Sequence, residues 1–279
     1  MRKITNELIL NFKNYLIEEE KSKNTCDKYI RDVTFFMAWL YGREVTKILT
    51  LEYKKELCEK YAPASVNAAI SSLNSFFCFM EWHDIRIKAL KIQRQIFSSK
   101  DKELTKAEYE RLLTAAKDKK NQRLYYLIQT IASTGIRVSE LRYITTSAVH
   151  SGQAVINCKG KMRIVILPKK LCKMLKGYIR ENNIKNGSVF VSRTGKSLDR
   201  SHIWKMLKAL CETAGVSKDK VYPHNFRHLF ARTYYSLQKD IVRLADILGH
   251  SSVNTTRIYT MSTYEVHRKQ IQRLGLLRC

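Results

Sequence analysis

The 279 residues carry 51 basic against 25 acidic side chains, a net charge of +26, with 44% apolar and 10% aromatic residues. That composition excludes a disordered chain and fits one large or two ordinary domains with a well-buried core. The charge calls for a polyanionic partner, and since no run approaches the roughly 18 to 20 apolar residues of a bilayer span, nucleic acid is favoured over membrane.

Seven cysteines are scattered singly with no CxxC pair, which reads as reduced thiols and offers no zinc site. The N-terminus has basic residues without the apolar run of a signal peptide, so the expected location is the cytoplasm. Residues 1–100 carry a net +5 and residues 101–279 a net +21, so the second part is the stronger grip on a polyanion.

In chain order, residues 5–82 read as helices. Leu8, Phe12, Tyr15 and Leu16 share one face. Tyr29, Val33, Phe36 and Leu40 form a second stripe, for which Asn24 is the expected N-cap. A shorter helix is predicted over roughly 46–60. The next opens at Pro63, where a missing N–H costs nothing, and carries Val66, Ile70, Leu73, Phe76 and Phe77. Residues 86–102 hold Arg86, Lys88, Lys91, Arg94, Lys100 and Lys102 against few acids and read as a basic linker. The predicted domains are therefore 1–85, the linker 86–102, and 103–279.

Thr105 followed by Glu108 is a capping box, and helices run from there to about residue 146, broken near Thr134-Gly135. Ala154 to Cys158 and Met162 to Leu167, joined by Lys159-Gly160-Lys161, read as a hairpin with β-branched arms. Pro168 starts a helix to about 181. A short Val189-Phe190-Val191 piece precedes helices over 200–214, 224–237, 240–248 and 263–274. The fold class is mainly α with a small β-sheet: a helical N-terminal domain and a larger, mostly helical C-terminal one.

Breaking a phosphodiester takes a nucleophile, positive charge on the non-bridging oxygens and a proton for the leaving alkoxide. No carboxylate cluster at helical or hairpin spacing offers a site for metal ions, and none is expected. Cationic donors are the alternative, and arginine's planar fork suits a phosphate. Arg137 follows Gly135 at the start of a predicted helix, whose N-terminus would add its own preference for anions. His224 and Arg227, three apart after Pro223, share a helix face. His250 sits just past Gly249, the expected stop of helix 240–248, and Tyr259 lies nine residues on, within reach of the same pocket. Lys159 or Lys161 at the hairpin tip would reach a leaving oxygen. Singly, each has an ordinary reading: a solvated arginine, a surface His–Arg pair, turn lysines, a half-buried tyrosine among 15.

Their order carries more. Ala132-Ser133-Thr134-Gly135-Ile136-Arg137-Val138-Ser139-Glu140-Leu141 resembles the first arginine box of the tyrosine recombinases, or phage integrase family. His224-Asn225-Phe226-Arg227-His228-Leu229-Phe230-Ala231 resembles its His-x-x-Arg box, and Leu248-Gly249-His250 through Tyr259 its last box. The resemblance is strong over about 103–265, while the N-terminal helices are similar in pattern to the family's SAM-like core-site binding domain. Arg232 departs from it, standing where small or hydroxylated residues are commoner.

The resemblance implies a site-specific recombinase that clamps double-stranded DNA at core sites. Tyr259 would form a 3′-phosphotyrosyl bond, with Arg137 and Arg227 on the scissile phosphate and Glu140 a buttress for Arg137. His224 would be acid/base or phosphate ligand, and His250 would stabilise the transition state. Lys159 would protonate the 5′ oxygen, with Lys161 the runner-up. No cofactor, ATP or metal is implied. With its first helix at about residue 5, the chain looks like the short, Xer-like two-domain type. Such proteins act as homo-tetramers on two synapsed sites, with a second recombinase or a DNA-bending accessory protein as further partners, in a nucleoid-associated location. The segment from Tyr264 to Leu277 would dock on a neighbouring subunit. Two alternatives stay open: a type IB topoisomerase-like nicking-closing enzyme, and a catalytically silent DNA-binding accessory protein. Target site and biological role are not legible.

Overall fold

The computed structural model describes residues 2–92, 102–158, 161–192, 194–259 and 272. The chain divides into two compact units, Met1–Arg94 and Gln95–Cys279. Among the described residues no helix is long and apolar enough to cross a membrane.

The first unit is built on α1 (Asn6–Glu18), α2 (Lys23–Leu40), α3 (Lys47–Lys60) and α4 (Pro63–Phe79). The predicted stripes are its core: Phe12, Val33, Phe36, Leu73, Phe76 and Phe77 have no exposed surface. Phe12 meets Phe76 edge-on at 5.2 Å, and Phe36 lies 4.9 Å from the Tyr53 ring, geometries that add to simple burial. The cap of α2 lies two residues before the predicted one, because Ser22 rather than Asn24 accepts the free N–H of Thr25.

Residues 86–92, basic and predicted as linker, lie against α4. Asn67 and Asn74, two turns apart, each exchange two hydrogen bonds with this segment. Asn74 pairs with both main-chain groups of Ile87, and Asn67 with both of Leu90, at 2.7–2.9 Å. A carboxamide offers donor and acceptor side by side, so it matches a main chain as a neighbouring strand would.

The second unit opens on α5 (Lys106–Asp118), where Thr105 and Glu108 make both bonds of the capping box. α6 (Gln122–Thr134) ends at Gly135 in the left-handed region, φ +63°. A 3-10 helix, Val138–Tyr143, and α7 (Thr146–Ser151) lead to the antiparallel pair β1 (Gln153–Cys158) and β2 (Lys161–Ile166), with Val155 opposite Ile164. Val189-Phe190-Val191 forms no strand; only isolated bridges, Thr145 to Ser188 and Val191 to Ser197, flank it.

α8 (Lys169–Glu181) follows, and the predicted 200–214 helix is two, α9 (Arg200–Lys208) and α10 (Cys211–Ala214). α11 (Pro223–Gln238), α12 (Ile241–Leu248), α13 (Val253–Thr256) and a final 3-10 turn, Arg257–Tyr259, complete the described order. The predicted 263–274 helix lies outside the described residues except at position 272. α11 packs on α6 and α12, and these contacts bring the ends of three sequence-distant segments together.

Candidate active site

Two backbone features open the site. Gly135 turns the chain out of α6 where a Cβ would stand 2.5 Å from the Phe230 ring, so only glycine fits. Arg137 follows, at the head of the 3-10 helix rather than of an α-helix. The N-terminus there already holds an anion: Glu140 Oε2 accepts the Arg137 N–H at 2.9 Å, and its Oε1 accepts Arg137 Nη1 at 2.9 Å. The predicted anion preference of that terminus is thus met within the chain, and the buttress role expected of Glu140 has its contact. Arg137 Nη2 also donates to the Gly249 carbonyl at 3.2 Å.

Arg227 lies at the centre, 1% exposed on α11. Its Nη1 donates to the Gly135 carbonyl, and its Nη2 to the Leu248 carbonyl at 2.7 Å and to His250 Nε2 at 2.9 Å. Its buried Nε has no hydrogen-bond partner, a desolvated donor that favours an anion. Burial, then Arg137 nearby, pull the Arg227 guanidinium down to about 10, still charged at neutral pH.

An arginine only donates, so the Arg227 contact makes His250 Nε2 an acceptor. The His250 proton is then on Nδ1, which donates to the buried Thr256 hydroxyl at 2.8 Å. Burial first, and then Arg227, Arg137 and Arg163, hold His250 near 4, so the imidazole is neutral at pH 7. Burial and the same arginine-rich surroundings lower His224 as well.

Tyr259, 4% exposed, packs with Ala231, Leu244 and Leu248. Its ring lies parallel to His250 at 6.1 Å and perpendicular to His228 at 4.8 Å, and His228 in turn meets His224 at 4.7 Å. Burial and then His224 push His228 down to about 4. A cleft of about 580 Å³ beside this cluster is lined by Arg137, His224 and Arg227, and by Arg200 and Trp204 of α9.

The structure therefore brings together Arg137, His224, Arg227, His250 and Tyr259. Lys159 lies outside the described residues; Lys161 is placed by its main chain, opposite Cys158. Arg232, the departure from the family pattern, donates to the Leu104 carbonyl at 2.8 Å and pairs with Glu103, away from the cluster. Sequence reasoning missed three residues. His228 sits one turn after His224, a spacing that signalled it. Arg163 carries a charge on the buried face of a strand, which was also a signal. Arg200 had none beyond its place at a helix start.

Residues 102–266 match the phage integrase family, and residues 9–84 match the phage integrase N-terminal SAM-like domain. The chain belongs to the phage integrase family. Among other tyrosine recombinases, it is 30% identical to XerA of Thermococcus kodakarensis over 98% of this chain and 96% of that one. It is 30% identical to XerD of Listeria innocua over 92% and 95%. A crystal structure of XerA recombinase matches with a TM-score of 0.54 at 29% identity, covering 99% of this chain and 100% of that one. A XerH site-specific recombinase bound to palindromic difH substrate, a post-cleavage complex, shares the fold at 22% identity, with a TM-score of 0.71 over 88% and 78%. This integrase-family member is thus a tyrosine recombinase of mostly helical fold with a small two-stranded sheet.

Proposed function

We propose that the chain cleaves and rejoins DNA strands at specific sites with Tyr259 as nucleophile. The observation that carries this reading is the cluster in which Arg227 binds His250 while the Tyr259 ring lies against that same imidazole. The phenol turns out from between His228 and His250 to attack. Its oxygen bonds to phosphorus, and the bond from phosphorus to the 5′ oxygen breaks. The phenolic proton passes to neutral His224 or to water, and the 5′ oxygen takes a proton from Lys159, or from Lys161 as runner-up. Arg137 and Arg227 neutralise the charge that gathers on the non-bridging oxygens, and once Arg227 turns to the phosphate His250 adds a hydrogen bond in its other tautomer, with the proton on Nε2 and Nδ1 accepting from the Thr256 hydroxyl. A phosphotyrosyl diester replaces a phosphodiester of similar energy, so a 5′-hydroxyl from a second duplex reverses the step with no ATP or metal.

On this reading residues 1–85 bind the core site, and 103–279 carry the chemistry and the segment that docks on a neighbouring subunit. Four copies join two sites, alone or with a second recombinase. The charge of +26 supports the DNA clamp.

The test is a nicked suicide duplex, from which the cleaved end cannot religate. Wild-type protein should form an SDS-resistant adduct, and Tyr259→Phe should bind the duplex as tightly and form none. An adduct that persists in Tyr259→Phe sinks the assignment. Relaxation of supercoils by monomers, with no joining of two sites, would favour the topoisomerase-like alternative.

A further inference from the structure

Side chains alternate along β2, so Arg163 shares its face with buried Val165. The Arg163 side chain is 15% exposed and is held at three points. Its Nη2 donates to Glu140 Oε2 at 2.5 Å, and its Nη1 to the Ile247 carbonyl at 2.9 Å. Its Cδ lies under Gly249, so close that a Cβ added there would stand 2.4 Å away.

Nothing in the proposed chemistry uses this arginine, yet each contact abuts a residue that the chemistry does use. Glu140 holds Arg137 through both its oxygens. Ile247 and Gly249 flank Leu248, whose carbonyl takes Arg227 Nη2. The Gly249 carbonyl takes Arg137 Nη2, and His250 is the next residue.

We propose that Arg163 is a positioning residue for strand cleavage: a strut from β2 that keeps Glu140, and through it Arg137, in register with the Leu248–His250 turn. The proposal rests on the reading of Tyr259 as nucleophile. Without the strut, Glu140 is a buried carboxylate with one cation instead of two, the Ile247 carbonyl loses its donor, and space opens beneath Gly249. Arginine suits the role because one planar group reaches a carboxylate and a carbonyl at once.

The test uses the full chain and nicked duplexes with a randomised core, from which the wild type selects its best substrate by adduct formation. Arg163→Lys keeps the charge and stem but makes only one of the two contacts; Arg163→Met keeps the stem alone. Both should bind the selected duplex within about 3-fold of wild type, while single-turnover adduct formation falls about 10-fold in the lysine variant and about 100-fold in the methionine variant. The loss in Arg163→Met should persist on a duplex with a 5′-bridging sulfur, which leaves without a proton. Wild-type rates in Arg163→Met overturn the proposal. Recovery on the sulfur duplex also overturns it, since the defect would then lie with the hairpin lysine. The His250 imidazole resonances, read without DNA, should move in Arg163→Met and stay near wild type in Arg163→Lys; unmoved resonances in both variants overturn the strut. If the wild type forms no adduct from the pool, the recombinase reading falls, and the imidazole measurement still decides the strut.

Discussion

Phe12, Phe36, Phe76 and Phe77 fill the N-terminal unit with ring against ring, and its buried polar side chains are two hydroxyls, Thr50 and Ser72. The C-terminal unit also has a large aliphatic core, but it buries Glu140, Asn225 and Arg227 as well. Both hydroxyls of the first unit find acceptors at 2.7–2.8 Å, Thr50 at the Lys47 carbonyl three residues away and Ser72 at Asp32, 40 residues away. In the second unit the buried ions join segments 92 and 21 residues apart in sequence, as Arg227 does between Gly135 and Leu248. Desolvating an ion is costly, and hydrophobic side chains of the same volume often serve stability as well. Among the described residues, fully buried charge is confined to the second unit, in the cluster proposed to carry the chemistry.

The comparison can be broken most directly at Arg227. Arg227→Lys should lower the adduct-forming rate by about 1000-fold, because one ammonium cannot replace a fork that serves two carbonyls, an imidazole and a phosphate. Circular dichroism should show the fold retained; a rate loss that only follows unfolding would make Arg227 a packing residue. Phe36→Ala is the counterpart in the first unit, with an expected cost of about 3 to 5 kcal/mol in denaturant titration from transfer and cavity together. A cost below about 1 kcal/mol would mean that the ring cluster does not carry that core.

Acid sharpens the contrast further. Folded His228 and His250 stand near 4, below the ordinary 6.5, so both must take up protons on unfolding between those values. Their share of stability is complete above about 6.5 and is lost as pH falls toward 4, so the melting temperature should drop by a few degrees from pH 7 to pH 5. His228→Phe should flatten that profile, and an unchanged slope would remove His228 from the account. Smallest is Ser72→Ala, which deletes a hydroxyl bonded to Asp32 and the Ala68 carbonyl and should cost about 1 kcal/mol in thermal melts.

Much of this was legible in sequence wherever the cause is local. The stripe of Val33, Phe36 and Leu40, the Thr105–Glu108 capping box and the stop at Gly249 each follow from spacing within a few residues. The cap of α2 was misread because Ser22 and Asn24 are both good caps, and only the free N–H of Thr25 decides between them. Arg137, His224, Arg227, His250 and Tyr259, which the structure brings together, were singled out because their order is itself a pattern. The charge of Arg163 on an apolar strand face was a signal, but its partners, Glu140 and Ile247, lie 23 and 84 residues away, where spacing does not name them. Asn67 and Asn74 were missed for a related reason: a carboxamide that binds main chain leaves no pattern in the residues it binds.

The contacts of Arg227 with Gly135, Leu248 and His250 also bear on the order in which a growing chain acquires its parts. Gly135 is made 92 residues before the arginine, but Leu248 and His250 are made 21 and 23 residues after it. A ribosome that stalls between the end of α11 and Leu248 therefore holds a product with the first arginine box and the His-x-x-Arg helix, yet with one carbonyl for a guanidinium that needs more. The stretch from Leu248 to Tyr259 supplies the second carbonyl, the imidazole and the phenol together. On the proposed reading, a chain that ends before that stretch has neither its nucleophile nor a closed set of contacts for Arg227.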